Sequence, residues 1–521
     1  MKTWKHLCSV LVGLATLMPL SLKAAERIDF YFGPLGLSIS VDALETFART
    51  GTVERELRLY LNRLSPEQQE QFRNFLQARY RVDPVLVYRF SHTSVGERLL
   101  RRIGEIVNLP KGTNGFYGIR GALVQAAAAP QGLSVIGFLQ KFPTDIQLNT
   151  EQTLKLIQTI STLQRKTNAL VAQLAQSSST VSSDLNQLPD LRTPGRFSTT
   201  KQTLTLRDVK RDRLLVVDLY RPQPTATSGS VPVIVVSNGL GAERDRFQKL
   251  GQHLASYGFA VAIPDHPGSD GLRQRKFLAG LYQENFDATE FIDRPLDTTF
   301  VLDQLEQLNA SHFQGHLDLQ QVGVYGYSFG GTTALSLAGA KINFEQLAAD
   351  CEHQGTIVNI SLLYQCRALE LPQQTTNLQD SRIQAVFLSV PFGNSLFGEA
   401  GISRVTIPVL WQTVDQDFIT PLLLEHVPLF THLPAPDKYL VVSEGLPHAP
   451  VILPTDAGKS VEEIRQVAND YQNALSTAFF KIYVAQDKDY QPTLQPAYIQ
   501  AISQDPYFLN LVESIKSISE D

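Results

Sequence analysis

The residues of this chain best equipped for chemistry are a serine, a late histidine and a pair of aspartates that lie between them. Ser328 stands in Gly326-Tyr327-Ser328-Phe329-Gly330, a G-x-S-x-G between the apolar run Val322–Tyr325 and the small-residue stretch Thr332–Ala340. A β-carbon at either glycine would collide with its neighbours in so sharp a strand-to-helix turn, and the strained serine between them is pushed out to face substrate. A serine hydroxyl is a poor nucleophile until a base takes its proton. His448 is the candidate base: it lies in the Gly/Pro loop Ser443–Ala449 after the apolar strand Tyr439–Val442, whereas His266 precedes the serine and His426 and His432 fall in an expected helix and its exit. The orienting acid belongs between serine and histidine in the chain. Asp415 and Asp417 compete for that role in the loop after the strand Ile407–Gln412. Asp417 is favoured because Pro421, four residues on, starts a helix; Asp415 is the alternative.

The loop Ser237-Asn238-Gly239-Leu240-Gly241-Ala242 follows the buried strand Val231–Val236, where an oxyanion hole is expected. The backbone N–H groups of Leu240 and Phe329 are its candidate donors, and losing one such donor typically costs about 2.7–4 kcal/mol of barrier lowering. As a G-x-G the loop lacks the third glycine of a dinucleotide site, and Gly458-Lys459-Ser460 lacks the upstream glycine of a P-loop. There is no H-E-x-x-H, and two cysteines without a paired histidine motif make no zinc site. No cofactor and no metal are expected.

These groups need elements to position them. At 521 residues the chain should hold two or three domains, and with 43% hydrophobic residues, 19% charged residues and a net charge of −5 it has neither the signature of disorder nor a nucleic-acid footprint. Lys2, Lys5 and the apolar stretch Leu7–Leu20 read as a secretory signal over residues 1–25, with an uncleaved anchor as the alternative, so a periplasmic or extracellular address is expected. Cys8 falls in that leader. The remaining pair, Cys351 and Cys366, suggests a disulfide closing a loop of about fifteen residues, worth roughly 3 kcal/mol, against two unpaired buried thiols.

Residues 26–176 carry mostly helical signals: Val41–Ala48, Val53–Leu64, a helix capped by Ser65 with Pro66 in its first turn and Gln68 returning the bond, then Val95–Val107, Gly118–Ala128 and Leu133–Leu139. In the long helix that follows, Leu156, Ile160, Leu163, Thr167, Leu170 and Leu174 form one stripe, read as core contact, with a seat for a partner helix as the alternative. The arginines between Arg49 and Arg102 are interleaved with acids and His92 stands alone; these read as surface, with weak membrane-surface contact left open. A polar linker spans residues 177–194. From residue 195 to 521 strands and helices alternate, which implies a mostly parallel sheet covered on both faces, interrupted by an insertion at 341–382 read as a lid or a surface excursion. Phe329, Leu240, Phe392 and Phe397 are candidates for an apolar acyl pocket.

The second half, roughly Leu191–Asp521, resembles the α/β-hydrolases grouped with platelet-activating factor acetylhydrolases and dienelactone hydrolases, through Ser237-Asn238-Gly239-Leu240-Gly241, Pro264-Asp265-His266-Pro267-Gly268, Arg294-Pro295-Leu296-Asp297 and the serine turn. The first half, with Tyr31-Phe32-Gly33-Pro34-Leu35 and Ser38-Ile39-Ser40-Val41, is similar to a helical domain found before such hydrolases in exported cyanobacterial proteins. The resemblance implies an α/β-hydrolase fold preceded by a smaller all-α domain. It also implies a serine hydrolase acting on carboxylic esters, including lipid esters, without metal or nucleotide. Two departures stand out. Asn238 replaces the histidine of a His-Gly pair, and the strand Ala385–Ser389, which carries the acid in some acetylhydrolases, ends in Ser389. The second leaves Asp415 or Asp417 as the acid, nearer the dienelactone layout. A catalytically silent fold that binds an envelope partner, and an amidase or peptidase using the same residues, stay open as alternatives.

Overall fold

A computed structural model describes residues 24–32, 35–178, 188–223, 230–352, 357–374, 376–449 and 461–515. Most of the expected leader and residues 179–187 of the expected linker lie outside them. The chain divides into two compact units, one formed by residues up to Val87 with Ile103–Thr153, the other by Tyr88–Arg102 with Leu154–Asp521.

The smaller unit is not all-α. It holds a five-stranded sheet in the order β2-β1-β5-β3-β4, built from β1 (Arg27–Phe32), β2 (Leu35–Ser40), β3 (Val107–Leu109), β4 (Thr113–Asn114) and β5 (Ile146–Leu148). The strands run two to six residues, too short to outweigh the helical periodicity around them. The alternation in Arg27–Phe32 and Leu37–Ser40 was the available signal. Its helices form where caps and periodicity call for them. Ser40 accepts from the Ala43 N–H to start Val41–Thr50, and Ser65 and Gln68 exchange the two bonds of a capping box (3.2 and 2.9 Å) at the head of Pro66–Gln77. The helix Thr150–Ser178 falls with the larger unit from Leu154 on, so the division comes before residue 176.

The larger unit is built on nine strands: β6 (Ser198–Asp208), β7 (Arg213–Gln223), β8 (Val231–Ser237), β9 (Ala260–Pro264), β10 (Leu317–Tyr327), β11 (Ile383–Ser389), β12 (Val409–Val414), β13 (Lys438–Ser443) and β14 (Leu509–Val512). Their order is β6-β7-β9-β8-β10-β11-β12-β13-β14. From β9 through β13 every pairing is parallel; β6, β7 and β14 join antiparallel at the edges. Successive residues of β8 face opposite cores, with Val233 and Val235 in one apolar cluster and Ile234 and Val236 in the other. Both faces are therefore buried, which is why these strands read as unbroken β-branched runs. Each parallel strand ends at the same edge, so the loops after β8, β10, β12 and β13 gather there.

The insertion at 341–382 is fastened down over its described residues. Leu347, Ala368 and Leu371 enter the core, and Cys351 and Cys366 are bridged with their Cα atoms 5.8 Å apart. Glu425, fully buried just past the acid loop, accepts from Asn359, Ser361 and Gln365 of the insertion and from the Gly393 and Asn394 N–H groups. Because the bridge closes a separation of 15 residues, the double variant Cys351→Ala/Cys366→Ala should lose about 3 kcal/mol of stability. Urea unfolding measures it, and an unchanged midpoint would contradict the constraint.

Candidate active site

Ser328 sits where β10 turns into the helix Phe329–Leu337, with φ 53° and ψ −117°. Such a backbone costs a non-glycine residue of order 1–3 kcal/mol and persists only where its surroundings over-determine it. A β-carbon on Gly326 would collide with the Gly330 carbonyl, and one on Gly330 with the Ser237 carbonyl. The Ser328 N–H donates to the Ser389 carbonyl at the end of β11 (2.8 Å), which fixes the turn against the neighbouring strand. Val390, next in the chain, also holds a positive φ of 44°.

His448 reaches this serine from the loop after β13. Its Nε2 lies 3.2 Å from Ser328 Oγ, and its Nδ1 lies 2.6 Å from Asp417 Oδ2. With an ionised Asp417 accepting at Nδ1, the ring proton sits there and Nε2 is left to accept from the serine hydroxyl. The Tyr327 hydroxyl donates to the His448 carbonyl (2.7 Å) and holds the loop.

Asp417 is buried, with Oδ1 accepting from the Ile419 and Thr420 N–H groups (2.8 and 2.9 Å) and Oδ2 from the Thr420 hydroxyl (2.6 Å). Burial pushes its carboxyl up, but the charge and hydrogen bond of His448, aided by Thr420, outweigh that and hold it below the ordinary aspartate value. Asp415 does a different job. Its Oδ1 accepts from the Gly445 N–H (2.8 Å), tying the acid loop to the histidine loop, and burial raises its carboxyl.

The Leu240 and Phe329 N–H groups have no hydrogen-bond acceptor among the described residues. A β-carbon built on Gly239 would stand 3.4 Å from Ser328 Cβ, so the loop after β8 lies against the serine. Phe329 and Phe392 do meet, with ring centroids 5.4 Å apart, but both are buried with Phe286 and Phe291 as core packing behind the turn. Phe397 is buried too, its ring set where a β-carbon on Gly393 would fall.

Several supporting residues escaped the sequence reading. Thr420 was visible only as part of a loop-closing Thr-Pro. His426 is buried, accepts from Trp411 Nε1 (3.0 Å) and donates Nε2–H to the Thr420 carbonyl (2.8 Å), a contact across elements with no sequence signal. A second string of the same group types lies under the loop after β8: Ser237 Oγ is 3.1 Å from His266 Nε2, and His266 Nδ1 is 3.1 Å from Asp297 Oδ2. All three are sealed from solvent, so this string braces the loop and offers no exposed hydroxyl.

Burial pushes His253, His266 and His426 down to about 4 from 6.5. Below pH 6.5 the unfolded chain binds protons that the native state refuses, so stability should fall as pH drops from 6.5 toward 4, by up to about 1.4 kcal/mol per pH unit for each histidine. Above pH 7 this contribution is flat. Urea midpoints at pH 7 and pH 5 check it, and equal midpoints would contradict it.

Two family models match the chain. Residues 24–149 match one described as alpha/beta hydrolase of unknown function (DUF1400), and residues 232–347 match one described as alpha/beta hydrolase fold. The second match runs from β8 through the serine turn into the start of the insertion. Strand order, the strained serine at the end of the central strand and these matches agree: the chain carries the α/β-hydrolase fold and is similar to hydrolases built on it.

Proposed function

We propose that this chain is a serine hydrolase that cleaves carboxylic esters, lipid esters among them, through an acyl-enzyme on Ser328. The observation that carries the reading is the unbroken hydrogen-bond string from Ser328 Oγ through His448 to Asp417. His448 Nε2 takes the hydroxyl proton as Oγ bonds to the ester carbonyl carbon. The carbonyl electrons move onto oxygen, where the Leu240 and Phe329 N–H groups receive the charge. The imidazolium, stabilised by Asp417, then gives its proton to the departing alkoxide. Water repeats the sequence to release the acid and restore the serine.

An apolar substrate is supported by a cavity of about 370 Å³ beside the acid loop, where Leu156, Ile160 and Leu163 of the long helix face Ile357, Val358 and Phe418. Leu154, Ile157 and Phe418 are exposed nearby in the larger unit, which suits contact with a lipid surface. Within the hydrolases, the acid placed after β12 favours the dienelactone-like layout over the acetylhydrolase one. The leader-like start of the chain points to an exported protein.

A fluorophosphonate probe should label the folded protein at Ser328 and fail to label Ser328→Ala. An unlabelled wild type would point to the silent, binding fold instead. With p-nitrophenyl esters, Asp417→Asn should lower kcat by about 10⁴, while Asp415→Asn, which leaves the His448 partner in place, should stay within about tenfold of wild type. Ile160→Trp, which narrows the cavity, should shift preference toward shorter acyl chains; an unchanged chain-length profile would separate the cavity from the substrate. Matched amides cleaved as fast as esters would make the enzyme an amidase.

A further inference from the structure

Behind the loop after β8 lies a buried cation that the mechanism above does not use. Arg294, on the helix Glu290–His312, is wholly buried. Its Nη1 donates to the Asn238 carbonyl (2.6 Å), its Nη2 to the Gly239 carbonyl (3.4 Å) and its Nε to Ser269 Oγ (2.7 Å). The guanidinium carbon also stands 4.5 Å from the centroid of the Phe329 ring. One side chain thus touches both segments that carry the candidate oxyanion donors.

The Gly239 carbonyl and the Leu240 N–H belong to one peptide group. In a trans peptide these two point in opposite directions. A guanidinium that holds the carbonyl inward therefore turns the Leu240 N–H away from Arg294, and withdrawing electron density through the carbonyl makes that N–H a stronger donor. The fork geometry of arginine is what allows two neighbouring carbonyls to be held at once; a lysine ammonium is a single point on a flexible stem.

Keeping a cation here requires counter-charge. Glu290 Oε2 lies 3.6 Å from Arg294 Nε and accepts from Ser269 Oγ (2.5 Å), and Arg213 joins Glu290 to Asp297 (2.9 and 2.7 Å). Burial pushes the Arg294 pKa down to about 10, so it stays cationic at neutral pH. This arrangement is costly to desolvate, and a carbonyl brace alone could have been built from a neutral amide.

We propose that Arg294 is a positioning residue for the oxyanion donors: it orients and polarises the Leu240 peptide and clamps Phe329, so that both N–H groups face the point where negative charge develops. The inference rests on the proposed chemistry at Ser328. Because the oxyanion exists only after attack, losing Arg294 should depress the chemical step and spare binding.

The test is the kinetics of fluorophosphonate labelling, whose phosphoryl oxygen must enter the same pocket. Three proteins are compared: wild type, Arg294→Lys, and the charge-balanced double variant Arg294→Met/Glu290→Gln, which keeps the proposal testable where removal of the cation alone would unfold the protein. In the double variant the maximal labelling rate should fall about a hundredfold, with the half-saturating probe concentration within about threefold of wild type and the pH midpoint of labelling unmoved. The lysine variant should fall between the two. A labelling rate close to wild type in the folded double variant overturns the positioning role alone. So does a loss that comes with a shifted pH midpoint, since that would place the effect on a titrating group and not on the orientation of the donors. A wild type that is not labelled at Ser328 overturns the parent reading and this one together.

Discussion

The arrangement depends on one strained peptide. Ser328 holds a left-handed backbone at the end of β10, and the fold holds it there by removing every alternative. Gly326 and Gly330 leave no room for a side chain, the Ser237 carbonyl presses from one neighbouring strand, and the Ser389 carbonyl accepts the Ser328 N–H from the other. The strain is small beside the packing that enforces it. Strands β8, β10 and β11 are buried on both faces, so moving the serine would disturb the centre of the sheet.

Around that point the sheet order does the positioning. Parallel strands deliver their following loops to one edge, and adjacency in the sheet becomes adjacency of function. The strand after the serine strand holds its backbone, the next brings Asp417, and the next brings His448. Each loop is then fixed by polar contacts of its own: Thr420 and His426 on the acid loop, Asp415 and Tyr327 on the histidine loop, Arg294 and the His266 string on the loop after β8. Loops so fastened keep donors and acceptors in register without waiting for a ligand, which is the electrostatic preorganisation that the proposed acyl transfer would draw on.

The insertion and the long helix bear on a different matter, the shape of the space beside the acid loop. Glu425 receives five donors, three of them from the insertion, so the described part of that segment forms a fixed wall. The stripe on the Thr150–Ser178 helix divides along its length: Leu170 and Leu174 pack into the core, while Ile160 stays half exposed at the cavity. A single apolar periodicity thus served two ends, and periodicity has no means of marking where one gives way to the other.

By itself the sequence determined the features that arise from local rules. The G-x-S-x-G turn, the buried β-branched strands and the Ser65 capping box were all legible, because each rests on sterics or hydrogen bonding within a few residues; the order of serine, aspartates and histidine could be read along the chain, but not which of them meet. The short strands of the smaller unit were missed, since pairing partners as distant as Ile28 and Ile146 supply what those segments lack locally. Only the tertiary structure shows which of Asp415 and Asp417 stands against His448. Both lie in one loop of suitable composition, and the choice came from which carboxylate the loop's own turn aims at His448. The same holds for Arg294 and His266, whose places behind the loop after β8 depend on distant segments meeting in a dry interior, where a buried charge must find its partners.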